Sequence, residues 1–170
     1  MLKVTSTTGT EPIDLVTAKL HLRVDDTYED ALITEYISAA RSHCERFTGL
    51  SFIEQTISYH TELVDATSHR VILPIGPAVS VQSVTDDTGE TITATWVTTA
   101  CPTVLTFSGA SDGVTIAYTT DATMVTSDIK TAMLMLLHQM YESRGMVDGE
   151  AVYRVEEAYL RNHRVLFGSS

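Results

Sequence analysis

Cysteine is nearly missing from this chain, bases are outnumbered two to one by acids, and no apolar run is long enough to cross a bilayer. Cys44 and Cys101 are the two cysteines in 170 residues and share no CxxC spacing, which excludes a disulfide framework and a cysteine-ligated metal site. Cys44 falls at an apolar helical position, where a buried free thiol is expected. Eleven Lys and Arg against 22 Asp and Glu leave a formal net charge of −11, which argues against DNA or RNA as the main partner. The most apolar stretch, Ala132–Leu137, is far short of the ~20 residues a membrane helix needs. No basic segment followed by an apolar run opens the chain, so no signal peptide is expected and a reducing cytoplasm is the expected compartment. Walker and Rossmann loops, internal repeats and low-complexity tracts are all lacking, and no cofactor is expected.

What is present is an ordinary globular composition, 44% hydrophobic and 19% charged, in a length that buries its own core without staples. Asp14 predicts the N-cap of a short helix to Val24, with Leu15, Ala18 and Leu22 on one face. A longer helix is expected over about Asp30–Phe47, entered through a capping box from Thr27 to Asp30 and stopped by Gly49. Its buried stripe reads Ile33, Ile37, Ala40, Cys44 and Phe47, and Asp25, Asp26, Glu29 and Asp30 crowd its positive end. From Phe52 the period drops to 2. Strands are expected around Ile53–Leu63, Val71–Leu73, Val79–Val84, Ile92–Val97, Val104–Phe107 and Val114–Tyr118, with turns at Gly76-Pro77 and Asp86–Gly89. Helical spacing returns over about Asp128–Ser143, capped by Thr126 or Ser127 and apolar all round at Met133–Leu137, and again from Ala151 to about Arg164 with Val152, Val155 and Tyr159 inward. The pattern predicts an α+β fold. Residues 1–50 and 121–170 supply a helical bundle, and residues 51–120 an inserted antiparallel β subdomain.

Candidate chemistry is sparse. Gly109-Ala110-Ser111-Asp112-Gly113 spells G-x-S-x-G, and Ser111, Asp121 or Asp128, and His138 fall in hydrolase order. A β run on each side makes the motif a hairpin tip instead, so a small serine hydrolase is the weaker reading. The six histidines lack i,i+4 and HExxH pairing, which gives no metal site. Asp25, Asp26, Glu29 and Asp30 lack EF-hand spacing. Met133, Met135 and Met140 are expected to fill the core. Residues 51–120 carry seven acids against Arg70 alone, with Asp86, Asp87 and Glu90 in one turn. Arg154, Arg161, His163 and Arg164, followed by Leu166 and Phe167, form the one basic cluster and read as a docking segment or as charges complementing a helix C-terminus.

Several segments, in order, resemble the head–tail connector (adaptor) family of tailed bacteriophages. They are Glu11-Pro12-Ile13-Asp14-Leu15, His21-Leu22-Arg23-Val24-Asp25, Glu29-Asp30-Ala31-Leu32-Ile33, Arg70-Val71-Ile72-Leu73-Pro74 with Gly76-Pro77, and Asp128-Ile129-Lys130 through Tyr141-Glu142-Ser143-Arg144. The resemblance implies a non-enzymatic virion protein of the longer type, with a β insertion. It implies a homo-oligomeric ring, expected to be a dodecamer matching the portal, that docks beneath the portal once DNA is packaged. The ring would extend the channel toward the next neck or tail-completion protein, with DNA passing without specific binding and no membrane involved. Its expected location is the virion neck, after assembly in the host cytoplasm. Within that frame Arg154, Arg161, His163, Arg164, Leu166 and Phe167 are the expected portal contacts, and Asp86, Asp87 and Glu90 the expected acidic channel wall. Another neck or tail-completion ring protein is the alternative.

Overall fold

Stretches of period 2 fold into antiparallel strands and stretches of period 3.6 into helices in a computed structural model that describes residues 1–62, 69–96, 102–108, 113–123, 125–144 and 148–165. The chain divides into a sheet unit, Met1–Gly9 and Gly49–Thr123 with the segment from Val165, and a helical unit, Thr10–Thr48 and Met124–Arg164.

The sheet unit holds β1 (Leu2–Thr7), β2 (Gln55–Glu62), β3 (His69–Ile72), β4 (Ala78–Asp86), β5 (Ala94–Trp96), β6 (Val104–Phe107) and β7 (Gly113–Thr120). A four-stranded sheet runs β1-β2-β7-β4 and a three-stranded sheet runs β3-β6-β5. Ile57, Leu73, Leu105, Ile116 and Tyr118 are fully buried in the core the strands share, each such side chain contributing roughly 1.5–3 kcal/mol. Two features depart from expectation. The first residues are a strand and not part of the helical segment, because β1 pairs with β2 from Leu2↔Tyr59 to Thr7↔Gln55. Thr and Lys dilute its alternation, and as an edge strand it buries little. Gly9 lets the chain leave it, since a Cβ there would lie 2.7 Å from the Glu54 amide nitrogen. Secondly, β6 and β7 lie in different sheets; Gly109–Asp112, where a hairpin tip was expected, lie outside the described residues.

Ser51 ties the ends of the long sheet segment together. Its amide donates to the Gly76 carbonyl at 2.9 Å, and its carbonyl accepts from the Thr123 amide at 2.9 Å and from the Thr123 hydroxyl. Its buried hydroxyl donates to the Ile53 carbonyl at 2.7 Å, takes the Gln55 amide at 2.9 Å and meets Thr120 Oγ1 at 2.8 Å. One donor and two acceptors are thereby all used.

The helical unit holds α1 (Leu15–Leu22), α2 (Asp30–Thr48), α3 (Ser127–Glu142) and α4 (Gly149–Val155), the last running on into a π-turn (Glu156–Leu160) and a 3-10 turn (Arg161–His163). Asp14 caps α1 through Thr17 N at 2.7 Å. Thr27 does not cap α2. Asp26 instead accepts from Tyr28 N at 3.0 Å, an Asx turn that delays the helix to Asp30. Thr126 sits at the N-cap of α3, but its hydroxyl accepts no helix N–H. Gly49, at φ 73°, stops α2. The expected single helix from Ala151 is interrupted for a packing reason. Val155 and Leu160 are both buried, and an unbroken α-helix would turn residues five apart by roughly 140° from each other. A turn closed over five residues brings them to one face.

The α2 stripe is also more polar than anticipated. Phe47 is half-buried, whereas Arg41 and Glu45 are buried. Arg41 Nη1 donates to Glu45 Oε2 at 2.7 Å, and Nε to Glu11 Oε2 at 2.9 Å. Glu11 therefore anchors the segment leading into α1. Leaving one member of such a cluster without its counterion is costly. Glu45→Ala is expected to lower unfolding free energy by about 3–5 kcal/mol, measured by urea denaturation. Arg41→Met with Glu45→Leu and Glu11→Gln should recover most of that loss, because no charge of the cluster is then left without its counterion.

Candidate interaction surfaces

The helical unit contains an open groove of about 1050 Å³ between the C-terminal end of α1, the outer side of α3, and α4 with its π-turn. Leu22, Met135, Val155, Ala158 and Tyr159 supply its apolar lining, and His21, Arg23, His138, Glu142 and Arg154 its polar rim. Each wall follows from local chemistry. Met133 is buried while Met135 is 39% exposed, so α3 is not covered on every side as its apolar run suggested. His21 and His138 meet edge to face with ring centroids 5.8 Å apart. Desolvation, then the neighbouring His138, holds the His21 pKa below its ordinary value. Arg23 closes α1 in the left-handed region at φ 59°, a place usually given to glycine, where an L side chain costs roughly 1–2 kcal/mol. It makes no ion pair among the described residues.

The acids before α2 do more than complement a helix dipole. Asp30 pairs with Lys19 of α1 at 2.6 Å. Glu29 accepts a short hydrogen bond from the Tyr141 hydroxyl and pairs with Arg144 at 2.7 Å, so it fixes the end of α3 that borders the groove. The Tyr141 and Arg144 bonds hold the Glu29 carboxyl below the usual range, and the same bond raises the Tyr141 phenol.

The expected docking cluster lies on the last helical turns. Arg154 pairs with Glu150 and Arg161 with Glu157, each at 2.9 Å and one turn apart, with both arginine side chains about 70% exposed. His163 lies 3.7 Å from Asp128, and the Arg164 guanidinium stands 5.4 Å from the Phe47 ring centroid. Leu166 and Phe167 lie outside the described residues, as do Ser111 and Cys101. In the sheet unit Asp86 is committed to its own turn, accepting from Thr88 N, Thr88 Oγ1 and Glu90 N within 2.9 Å. Asp87 stands 3.8 Å from His60, and Glu90 is exposed.

Histidine positions were the least legible part of the sequence. His43 hydrogen-bonds Glu156 of the π-turn at 2.8 Å, a pairing over 113 residues that no local spacing signals. Beside it Cys44 is fully buried, and burial followed by Glu45 and Glu156 pushes its thiol up to about 12, which leaves it unreactive. Among the described residues no group of three metal-ligating side chains occurs, and no helix is long and apolar enough to cross a membrane.

The profile of the head completion protein family matches residues 3–154. No curated protein sequence matches the chain. Among solved structures it is similar to a chain from the neck of an empty gene transfer agent (GTA) particle computed with C6 symmetry, at a TM-score of 0.69 and 19% identity. It is also similar to chains from the virion of a native GTA particle (TM-score 0.65, 19% identity) and from the neck of a native GTA particle computed with C12 symmetry (0.63, 17%). In each case the likeness covers 100% of this chain and 98% of the other, and at these identities it establishes the fold.

The Glu29 clasp has a definite pH signature. A carboxyl whose folded pKa is depressed contributes stability above its unfolded value, about 4.3. That contribution is lost as pH falls through the folded value. Glu29→Gln should therefore lower Tm at pH 7, by an amount that shrinks as pH falls below about 4.3, as read by calorimetry.

Proposed function

The chain belongs to the head completion protein family, and from that premise we propose that it is a structural protein of the virion neck, assembling as a ring beneath the portal. The ring docks after packaging and extends the DNA channel toward the tail. The observation that carries this reading is the family match over residues 3–154. A fold shared end to end with chains of GTA necks supports it, and a neck computed with C12 symmetry supports twelve copies. The role is one of shape and contact, with assembly in the host cytoplasm and no catalytic step.

Two surfaces serve the role. The segment from Arg154 to Phe167, including Arg161, His163 and Arg164, contacts the portal. Exposed i,i+4 pairs such as Arg161–Glu157 are worth only a few tenths of a kcal/mol, so an acidic portal surface displaces Glu157 at little cost. Leu166 and Phe167 add apolar contact. Asp86, Asp87 and Glu90 line the channel, where acid weakens phosphate contacts and lets DNA slide. The bonding of Asp86 within its turn makes Asp87 and Glu90 the side chains free to act on DNA.

Arg161→Glu with Arg164→Glu should preserve the circular dichroism spectrum and abolish capture by the co-expressed portal protein. Capture that survives moves the interface elsewhere, and capture by tail proteins alone favours a tail-completion role. Asp87→Asn with Glu90→Gln should slow DNA ejection from assembled particles. Unchanged ejection would place that turn away from the channel.

A further inference from the structure

Resting on the ring reading above, we infer that the groove of the helical unit is the seat for a neighbouring copy of this chain, which fills it with the apolar ridge Val16–Leu20 of its own α1. Val16 and Leu20 are 68% and 73% exposed, one turn apart, and form a continuous apolar line with no cover in the monomer. The groove has the opposite need. Met135, Val155 and Tyr159 form an apolar floor with no side chain of the described residues laid across it.

The geometry favours a neighbour over self-filling. At about 100° per residue, Val16 and Leu20 share one line of α1, while His21 and Leu22 at the groove rim point to another. Ridge and groove are therefore separate patches facing different directions. Two different patches that fit each other give a heterologous, head-to-tail contact, and such contacts generate rings when the rotation closes.

Charge complementarity points to the same occupant. Arg23 and Arg154, the latter in an exposed pair with Glu150, stand at the groove rim against one lining carboxylate, Glu142, on a chain whose net charge is −11. Asp25 and Asp26 stand five and six residues beyond the end of the ridge, both exposed and neither ion-paired among the described residues. Arg23, held in a left-handed conformation at the rim, has no ion partner among the described residues. A neighbour's ridge brings both the apolar contact and the missing acids. Arg161 and Arg164 lie outside the groove and stay free for the portal.

The test uses two proteins in a Cys101→Ser background, one with Leu20→Cys and one with Ala158→Cys, treated with a short bismaleimide alone, mixed, and on co-expressed portal. Mixed samples should give cross-linked pairs, and neither protein alone should. Leu20→Glu should cut the ring fraction by about tenfold or more, since a carboxylate would enter an apolar seat, with an unchanged circular dichroism spectrum. Rings that form without mixed cross-links, or that cross-link through Leu20→Cys alone, overturn this interface and leave the neck role standing. No ring, in solution or on the portal, overturns both.

Discussion

The fold depends on one buried serine. Ser51 is fully enclosed and ties the start of the 49–123 segment to its end at Thr123 and to Gly76 in between. The chain leaves α2 at Gly49 and re-enters the helical unit after Thr123, so this tie makes departure and return local events. Loop-closure entropy grows only logarithmically with length. A segment of that size can be carried without loosening the α2–α3 pair, provided its ends are pinned. Thr120 and Gln55 complete the pinning from the adjacent strands β7 and β2.

Much of the architecture was legible because it rests on periodicity. The change from period 3.6 to 2 at Phe52, and back after Asp121, located helices and strands, since burial on one face leaves a repeating mark. Misses occurred where burial is not periodic. β1 is an edge strand with one half-buried side chain, so its sequence carries little apolar signal. Ser51 is a lone polar residue whose tying partners Gly76, Thr120 and Thr123 lie 25 to 72 positions away, which no window detects. Arg41 and Glu45 look like a solvated i,i+4 pair in sequence, and they are buried because Glu11 arrives from another segment to satisfy the guanidinium. The π-turn answers a packing demand at Leu160 that propensity does not encode.

The acidic composition serves two ends. Glu29 and Asp30 are structural ties to Arg144 and Lys19, Asp14 and Asp148 are helix caps, and Asp26 closes the Asx turn before α2. In the sheet unit the excess is less committed. Asp86 shapes its turn, but Glu90 offers a side chain to solvent. A composition-level reading treats these carboxylates alike, whereas the hydrogen bonds sort them into those that hold the fold and those available to act on a partner.

An assembly protein with a net charge of −11 faces a constraint that a monomer does not. Bringing copies together concentrates like charge, and self-repulsion grows with each copy added. Spreading bases evenly over the surface would remove the solubility that net charge confers. Bases confined to the sites of contact resolve the conflict, because they act only when a neighbour arrives. Residues 51–120 hold Arg70 alone, while residues 1–50 and 121–170 hold five bases each, of which Lys19, Arg41 and Arg144 are tied to carboxylates of their own chain. Arg23 is fixed at the groove rim by a backbone conformation that glycine would adopt at lower cost. The cost of that conformation is understandable only if the side chain, and not the turn, is what the position requires.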